Sequence, residues 1–112
     1  MSYEFNGKTI DTDANGFLTG LEDWNKELAE HIATLEGISL TPKHWDLIDY
    51  LRDMYLNHGG EQPNTRHIVK AMSDKWGTNA SQKDIYDLFP KDPSKQGGRI
   101  AGLPESRRKG GY

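Results

Sequence analysis

Leu40-Thr41-Pro42-Lys43-His44-Trp45-Asp46-Leu47-Ile48-Asp49-Tyr50-Leu51-Arg52 is the stretch that decides the fold. Thr41 is a helix N-cap residue type. Pro42 follows at the first helical position, where its missing N–H costs nothing. Leu40 before the cap and Trp45 in the first turn can form a hydrophobic staple. Trp45, Ile48, Leu51 and Tyr55 then recur at helical spacing. The stretch predicts a helix to about Asn57, ended by His58-Gly59-Gly60.

The same punctuation extends to both sides. Upstream, a helix is expected from about Leu21 to Leu35. Thr19-x-x-Glu22 reads as its capping box, and Leu21, Trp24, Leu28, Ile32 and Leu35 form its apolar stripe. Before it, Tyr3 to Ile10 reads as a β-hairpin turning at Asn6-Gly7, a pair that tolerates the positive φ of a type I′ turn. Asp13-Ala14-Asn15-Gly16 is a second turn. Downstream, Asn64 can cap a helix to about Trp76 that Gly77 closes. Ser81 caps another, stopped by Pro90. Asp92-Pro93 starts a last short helix to about Ala101, closed by Gly102. The expected fold is mainly α: a small orthogonal helical bundle with a helix-turn-helix-like pair, an N-terminal β-hairpin and a flexible C-terminal arm. Residues 1–90 read as the body and 91–112 as the arm of a single domain.

Composition narrows the function. The chain has 112 residues, a net charge of −3 and no cysteine. Without cysteine there is no disulfide, thiol nucleophile or cysteine-ligated metal. The N-terminus lacks the basic-then-apolar order of a signal peptide, and no apolar run is long enough for a membrane helix. A cytoplasmic protein, monomeric or weakly oligomeric and without a cofactor, is expected. Residues 91–112 carry six basic and two acidic residues, so a +4 arm follows a −7 body. Five of the twelve glycines lie in that arm, which implies that it is mobile or docks onto something.

Two local patterns offer other functions. Asp11-Thr12-Asp13-Ala14-Asn15-Gly16-Phe17-Leu18-Thr19-Gly20-Leu21-Glu22 fits the EF-hand loop pattern, with Asp11, Asp13, Asn15, Phe17 and Glu22 at ligand positions. No entering helix precedes it, and a strand-to-helix turn explains the same residues. The helices around Gly77 outline a helix-turn-helix, so nucleic acid is a second possible partner. Its reading end offers Ser81, Gln82, Lys83 and Asp84, with a single basic residue among them. The histidines His31, His44, His58 and His67 are scattered, and none has the converging carboxylates of a general base.

In order and spacing, several short runs together resemble the DsrC/TusE family, the dissimilatory sulfite reductase gamma-subunit-like proteins and their sulfur-relay relatives. These are Gly16-Phe17-Leu18, Asp23-Trp24, His44 to Arg52, Leu88-Phe89-Pro90, and Arg99-Ile100-Ala101-Gly102-Leu103-Pro104. The resemblance implies a cytoplasmic protein whose C-terminal arm carries sulfur on cysteine into partner proteins. It places the two family cysteines at Gly98 and Lys109. Glycine and lysine cannot hold sulfane sulfur, a job that needs a thiolate. The expectation is therefore a noncatalytic, partner-binding or regulatory paralogue rather than an enzyme. Its partner would be a sulfite reductase or sulfur-relay protein. Arg99, Ile100, Gly102, Leu103 and Pro104 would form the binding arm, with Arg107, Arg108 and Lys109 for electrostatic steering.

Overall fold

A computed structural model describes residues 2–105. Strands β1 (Ser2–Phe5) and β2 (Lys8–Asp11) pair antiparallel, with Tyr3 opposite Ile10. Asn6 (φ 53°) and Gly7 (φ 74°) make the two-residue turn between them. Helices α1 (Lys26–Leu35), α2 (Pro42–Asn57), α3 (Thr65–Trp76), α4 (Gln82–Leu88) and α5 (Pro93–Ile100) follow.

Most helix ends obey the local signals. The Asn64 side chain accepts the N–H of His67, Ser81 accepts that of Asp84, and Gly77 closes α3 in the left-handed region. The first helix differs. Leu21–Asp23 is a short 3-10 turn, and α1 begins after Asn25, whose side chain accepts the N–H of Leu28. Thr19 is not the cap: its N–H and hydroxyl both go to the Asp11 carbonyl, which ties the loop back to β2. The break at Trp24 frees that indole to reach α5. On α2 the buried stripe is His44, Leu47, Ile48 and Leu51, so Trp45 and Tyr55 lie at its margin.

The core joins Leu28, Ile32, Leu47, Ile48, Ile68, Ile85, Phe89 and Ile100. Helix α5 runs through its middle and packs against each of the other four helices. Residues 91–105, marked off in sequence as the first part of an arm, are thus docked into the body. Glycine makes this docking possible. A Cβ on Gly97 would stand 3.0 Å from Leu51 Cδ1 and 3.4 Å from Leu47 Cδ2, so α5 lies almost against α2. No helix among the described residues is long and apolar enough to cross a membrane.

Candidate functional site

The end of α5 and the residues after it, to Glu105, close the described chain, and four separate elements hold them. Gly102 (φ 75°) ends the helix: its N–H donates to the Arg99 carbonyl, and that of Leu103 to the Gly98 carbonyl. The Trp24 indole N–H donates to the Ile100 carbonyl at 2.8 Å. Arg52, the last residue of the deciding stretch, donates to the Ala101 carbonyl at 2.7 Å. Its guanidinium also lies 3.9 Å from the centre of the Trp24 ring. Burial holds the Arg52 pKa below the usual guanidinium value, and Asp49 partly offsets this. Gln62 donates to the Pro104 carbonyl at 2.8 Å, and Asn15 donates to the Glu105 carboxylate at 2.9 Å.

Arg99 forms the other wall of this root. It donates to Glu36 Oε1 at 3.0 Å, where Gln96 also donates at 2.8 Å, and its guanidinium lies 5.0 Å from the Phe17 ring centre. Glu36 Oε2 and Arg99 Nε are buried and have no hydrogen-bond partner among the described residues, so the pair is held by one bond rather than a fork. Tyr3 closes the wall by donating to the Gly16 carbonyl at 2.9 Å. Burial, the main cause, and nearby Glu36 push the Tyr3 phenol pKa up, against the pull of Arg99.

These positions revise the binding surface expected from sequence. Ile100 and Leu103 are 0% and 2% exposed, and Gly102 is covered by the Trp24 ring. In this structure they anchor the root, because burial of the apolar pair docks α5 into the core. Among the described arm residues, Pro104 and Glu105 remain at the surface edge, and Arg99 is partly accessible. Gly98 is buried on α5, and a Cβ built there meets nothing within 4 Å among the described residues. Arg107, Arg108 and Lys109 lie outside the described residues.

The two other patterns are not assembled into sites. The Asp13 carboxylate accepts the N–H groups of Asn15 and Phe17, and the Phe17 carbonyl accepts the Asp13 N–H. Asp13 and Phe17 are therefore engaged in the turn itself, Asn15 serves Glu105, and Glu22 sits apart on the 3-10 turn. Among the described residues no three acidic or histidine side chains converge to hold a metal. On α4, Lys83 pairs with Asp87 at 3.0 Å and Asp84 caps Ser81, so the single cation at the would-be reading end is already neutralised.

The sequence assigned His44 no structural role, yet it is only 6% exposed. Its Nδ1 accepts the Thr41 N–H at 3.0 Å, so the proton sits on Nε2 and is donated to the Leu88 carbonyl at 2.9 Å. The signal was its place three residues after the cap, where a capping box normally has Glu or Gln.

A family model described as DsrC like protein matches residues 4–108. The chain belongs to the DsrC/TusE family. It is 45% identical over 102 residues to sulfurtransferase TusE of Shigella dysenteriae, covering 90% of this chain and 93% of that one. The solution structure of Allochromatium vinosum DsrC superposes with a TM-score of 0.85 at 36% identity, covering 96% of both chains. The oxidized gamma-subunit of the dissimilatory sulfite reductase from Archaeoglobus fulgidus gives 0.85 at 35% identity, covering 96% of this chain and 98% of that one. These relatives correct the expectation that the DsrC/TusE member described here is no enzyme: TusE proteins matching nine-tenths of it are sulfurtransferases by name. The inference from missing cysteine ran too far, because a thiol-free chain can still serve a transfer whose thiols belong to other proteins.

Proposed function

We propose that the chain takes part in sulfur transfer between proteins by docking a thiol-bearing partner, a sulfur-relay protein or a sulfite reductase, beside the arm root. The contact surface is Pro104, Glu105 and the accessible edge of Arg99, continued by Arg107, Arg108 and Lys109. The sulfur stays on thiols of the partners throughout, since attack on a persulfide needs a thiolate and this chain has no cysteine. The chain contributes position: it brings a donor and an acceptor thiol together and is unchanged at the end. The reading includes a cytoplasmic location and a monomer or weak oligomer.

Gly98 is the observation that carries this reading. The resemblance places a family cysteine there, and the open space beyond its Cα leaves room for a side chain that the sequence does not supply. The root around it is nonetheless fully pinned through Trp24, Arg52 and Gln62. Support for the docking role is thus a retained binding frame without the cargo atom.

The test is affinity capture of the full chain from a sulfur-metabolising bacterium, with the retained proteins identified by mass spectrometry. A relay protein or sulfite reductase should be retained, and less of it by an Arg107→Ser/Arg108→Ser/Lys109→Ser variant. Adding the chain to that partner and its sulfur acceptor should speed transfer of labelled sulfur. Retention of no sulfur-pathway protein, or no change in the transfer rate, would overturn the proposal.

A further inference from the structure

A groove of about 290 Å³ lies between α2 and α3, and none of its lining residues hydrogen-bonds to the arm root. Two helix ridges bound it. Asp46, Asp49 and Asp53 follow one another at i, i+3 and i+7 along α2, on one helix face about 10 Å long. Ala71 and Lys75 stand one turn apart on α3. Tyr50 and the buried Met72 make an apolar floor between the ridges. The α3 ridge dips at Ala71, whose side chain is a single methyl. An apolar knob from outside can enter there, as the ridge of one helix enters the groove of another. Tyr50 also lines a second hollow, with Met54 and Glu61, which lengthens the groove and adds a carboxylate.

The chain answers the charge of this rim only in part. Asp46 accepts the Trp76 indole N–H at 2.8 Å and faces Lys75 at 4.0 Å. Asp53 has His58 at 3.4 Å and the neutral Asn57 amide at 2.8 Å. Asp49 makes no ion pair among the described residues. Arg52 beside it is aimed at the Ala101 carbonyl and the Trp24 ring. Asp49 and Asp53 thus stand as a like-charge pair at i, i+4, which repels along a helix. A cation laid between them turns that repulsion into two attractions.

We infer that this groove docks a basic amphipathic helix of another protein, with its apolar residues over Tyr50, Ala71 and Met72 and its cations against Asp49 and Asp53. A groove between two helices takes apolar anchors at helical spacing. The open carboxylates, on a body of net charge −7 over residues 1–90, select cations and repel acidic helices and phosphate chains. Arginine and lysine fit best, since their stems lie along apolar surface while their heads reach the rim. The surface does not include Pro104, Glu105 or Arg99, so it stands whether or not a thiol-bearing partner docks at the root.

The probe is a synthetic helical peptide with leucines at i, i+3 and i+7 and arginines on the adjacent face at the spacing of the rim aspartates. Titrated into the isotope-labelled full chain, it should give saturable amide NMR shifts confined to residues 46–54 and 67–75. Asp49→Asn/Asp53→Asn should weaken binding about tenfold, the worth of two exposed ion pairs. Ala71→Gln fills the dip with a good helix former and should weaken it at least as much. Asp49 and Asp53 are exposed and Ala71 is partly so, and both variants should keep the parent spectrum away from the groove. The peptide with glutamate in place of arginine should not bind. Absence of shifts, shifts elsewhere, binding of the glutamate peptide, equal binding of a peptide with alanine in place of leucine, or a change under about twofold in either variant would each overturn the proposal. Shifts at the same residues on concentrating the chain alone would assign the groove to a second copy and overturn it likewise.

Discussion

Two alanine substitutions four residues apart should have opposite effects. At Gly102 the backbone has φ 75°, and a Cβ would stand 2.2 Å from Trp24 Cδ1, 2.5 Å from Cγ and 2.7 Å from Cβ. The left-handed conformation alone costs a residue with a Cβ about 1–2 kcal/mol. Relieving the clash requires moving Trp24, which puts at risk its hydrogen bond to the Ile100 carbonyl, worth about 1 kcal/mol. It also disturbs the Arg52 stack, worth about 0.5–2 kcal/mol. Less chain entropy in the unfolded state returns about 0.4–1 kcal/mol. Gly102→Ala should therefore destabilise by about 2–4 kcal/mol. At about 4 °C per kcal/mol for a chain of this length, the midpoint should fall by roughly 8–16 °C. Gly98→Ala is the internal control: it is helical, its Cβ meets nothing within 4 Å, and it should gain about 0.5–1 kcal/mol. Urea unfolding followed by circular dichroism measures both. A Gly102→Ala loss under about 1 kcal/mol, or a Gly98→Ala loss as large as that of Gly102→Ala, would refute the view of Gly102 as the clamp point of the root.

Further expectations follow from the same neighbourhood and from α2. Gly98→Cys should fold normally and its thiol should react with iodoacetamide under native conditions; a need for denaturant would show that the space beyond Gly98 is closed. Glu36→Gln should cost about 2–3 kcal/mol in a thermal melt, because it leaves a mostly buried Arg99 without its counter-charge, and a change under about 0.5 kcal/mol would mean that water already serves that guanidinium. His44 is held below its ordinary pKa chiefly by burial, against the raising effect of its bond to Leu88. The folded state thus binds fewer protons than the unfolded one below the ordinary histidine pKa of about 6.5, and stability should fall with pH from there down to the folded-state pKa. Unfolding curves measured from neutral to mildly acidic pH check this, and a His44→Gln variant should lose that part of the slope; an unchanged slope would exclude His44 as its source.

How much of this was legible in the sequence depended on whether the signal was local. The caps at Thr41, Asn64, Ser81 and Asp92 and the turn at Asn6-Gly7 are chain-neighbour chemistry, and each element they predict is present. The start of α1 was misread because Thr19-x-x-Glu22 satisfies the capping pattern as well as Asn25 does. In the fold Thr19 is tied to the Asp11 carbonyl and Trp24 reaches the Ile100 carbonyl, 76 residues away, contacts that no local pattern announces. The anchoring of Arg99 was invisible for the same reason, since Glu36 lies 63 residues distant. Glycine was ambiguous in a different way. Gly97 and Gly98 lower helix propensity, which reads as mobility, yet the missing Cβ of Gly97 is what lets α5 approach Leu51 and Leu47.

The root is held by contacts that do not involve the side chain at position 98. Trp24, Arg52 and Gln62 capture the backbone carbonyls of Ile100, Ala101 and Pro104, and Ile100 and Leu103 supply the buried apolar surface. A backbone carbonyl is present whatever residue bears it, so this frame is indifferent to whether position 98 bears a thiol. The contacts that hold the fold here are therefore separable from sulfur chemistry: none of them uses a side chain at position 98. That separability lets a DsrC/TusE-family chain lack cysteine and keep this shape, and it makes Gly98→Cys a test of chemistry rather than of folding. If the introduced thiol takes up sulfur from a persulfide donor and the parent chain does not, the frame around position 98 can present a reactive thiol without any other change.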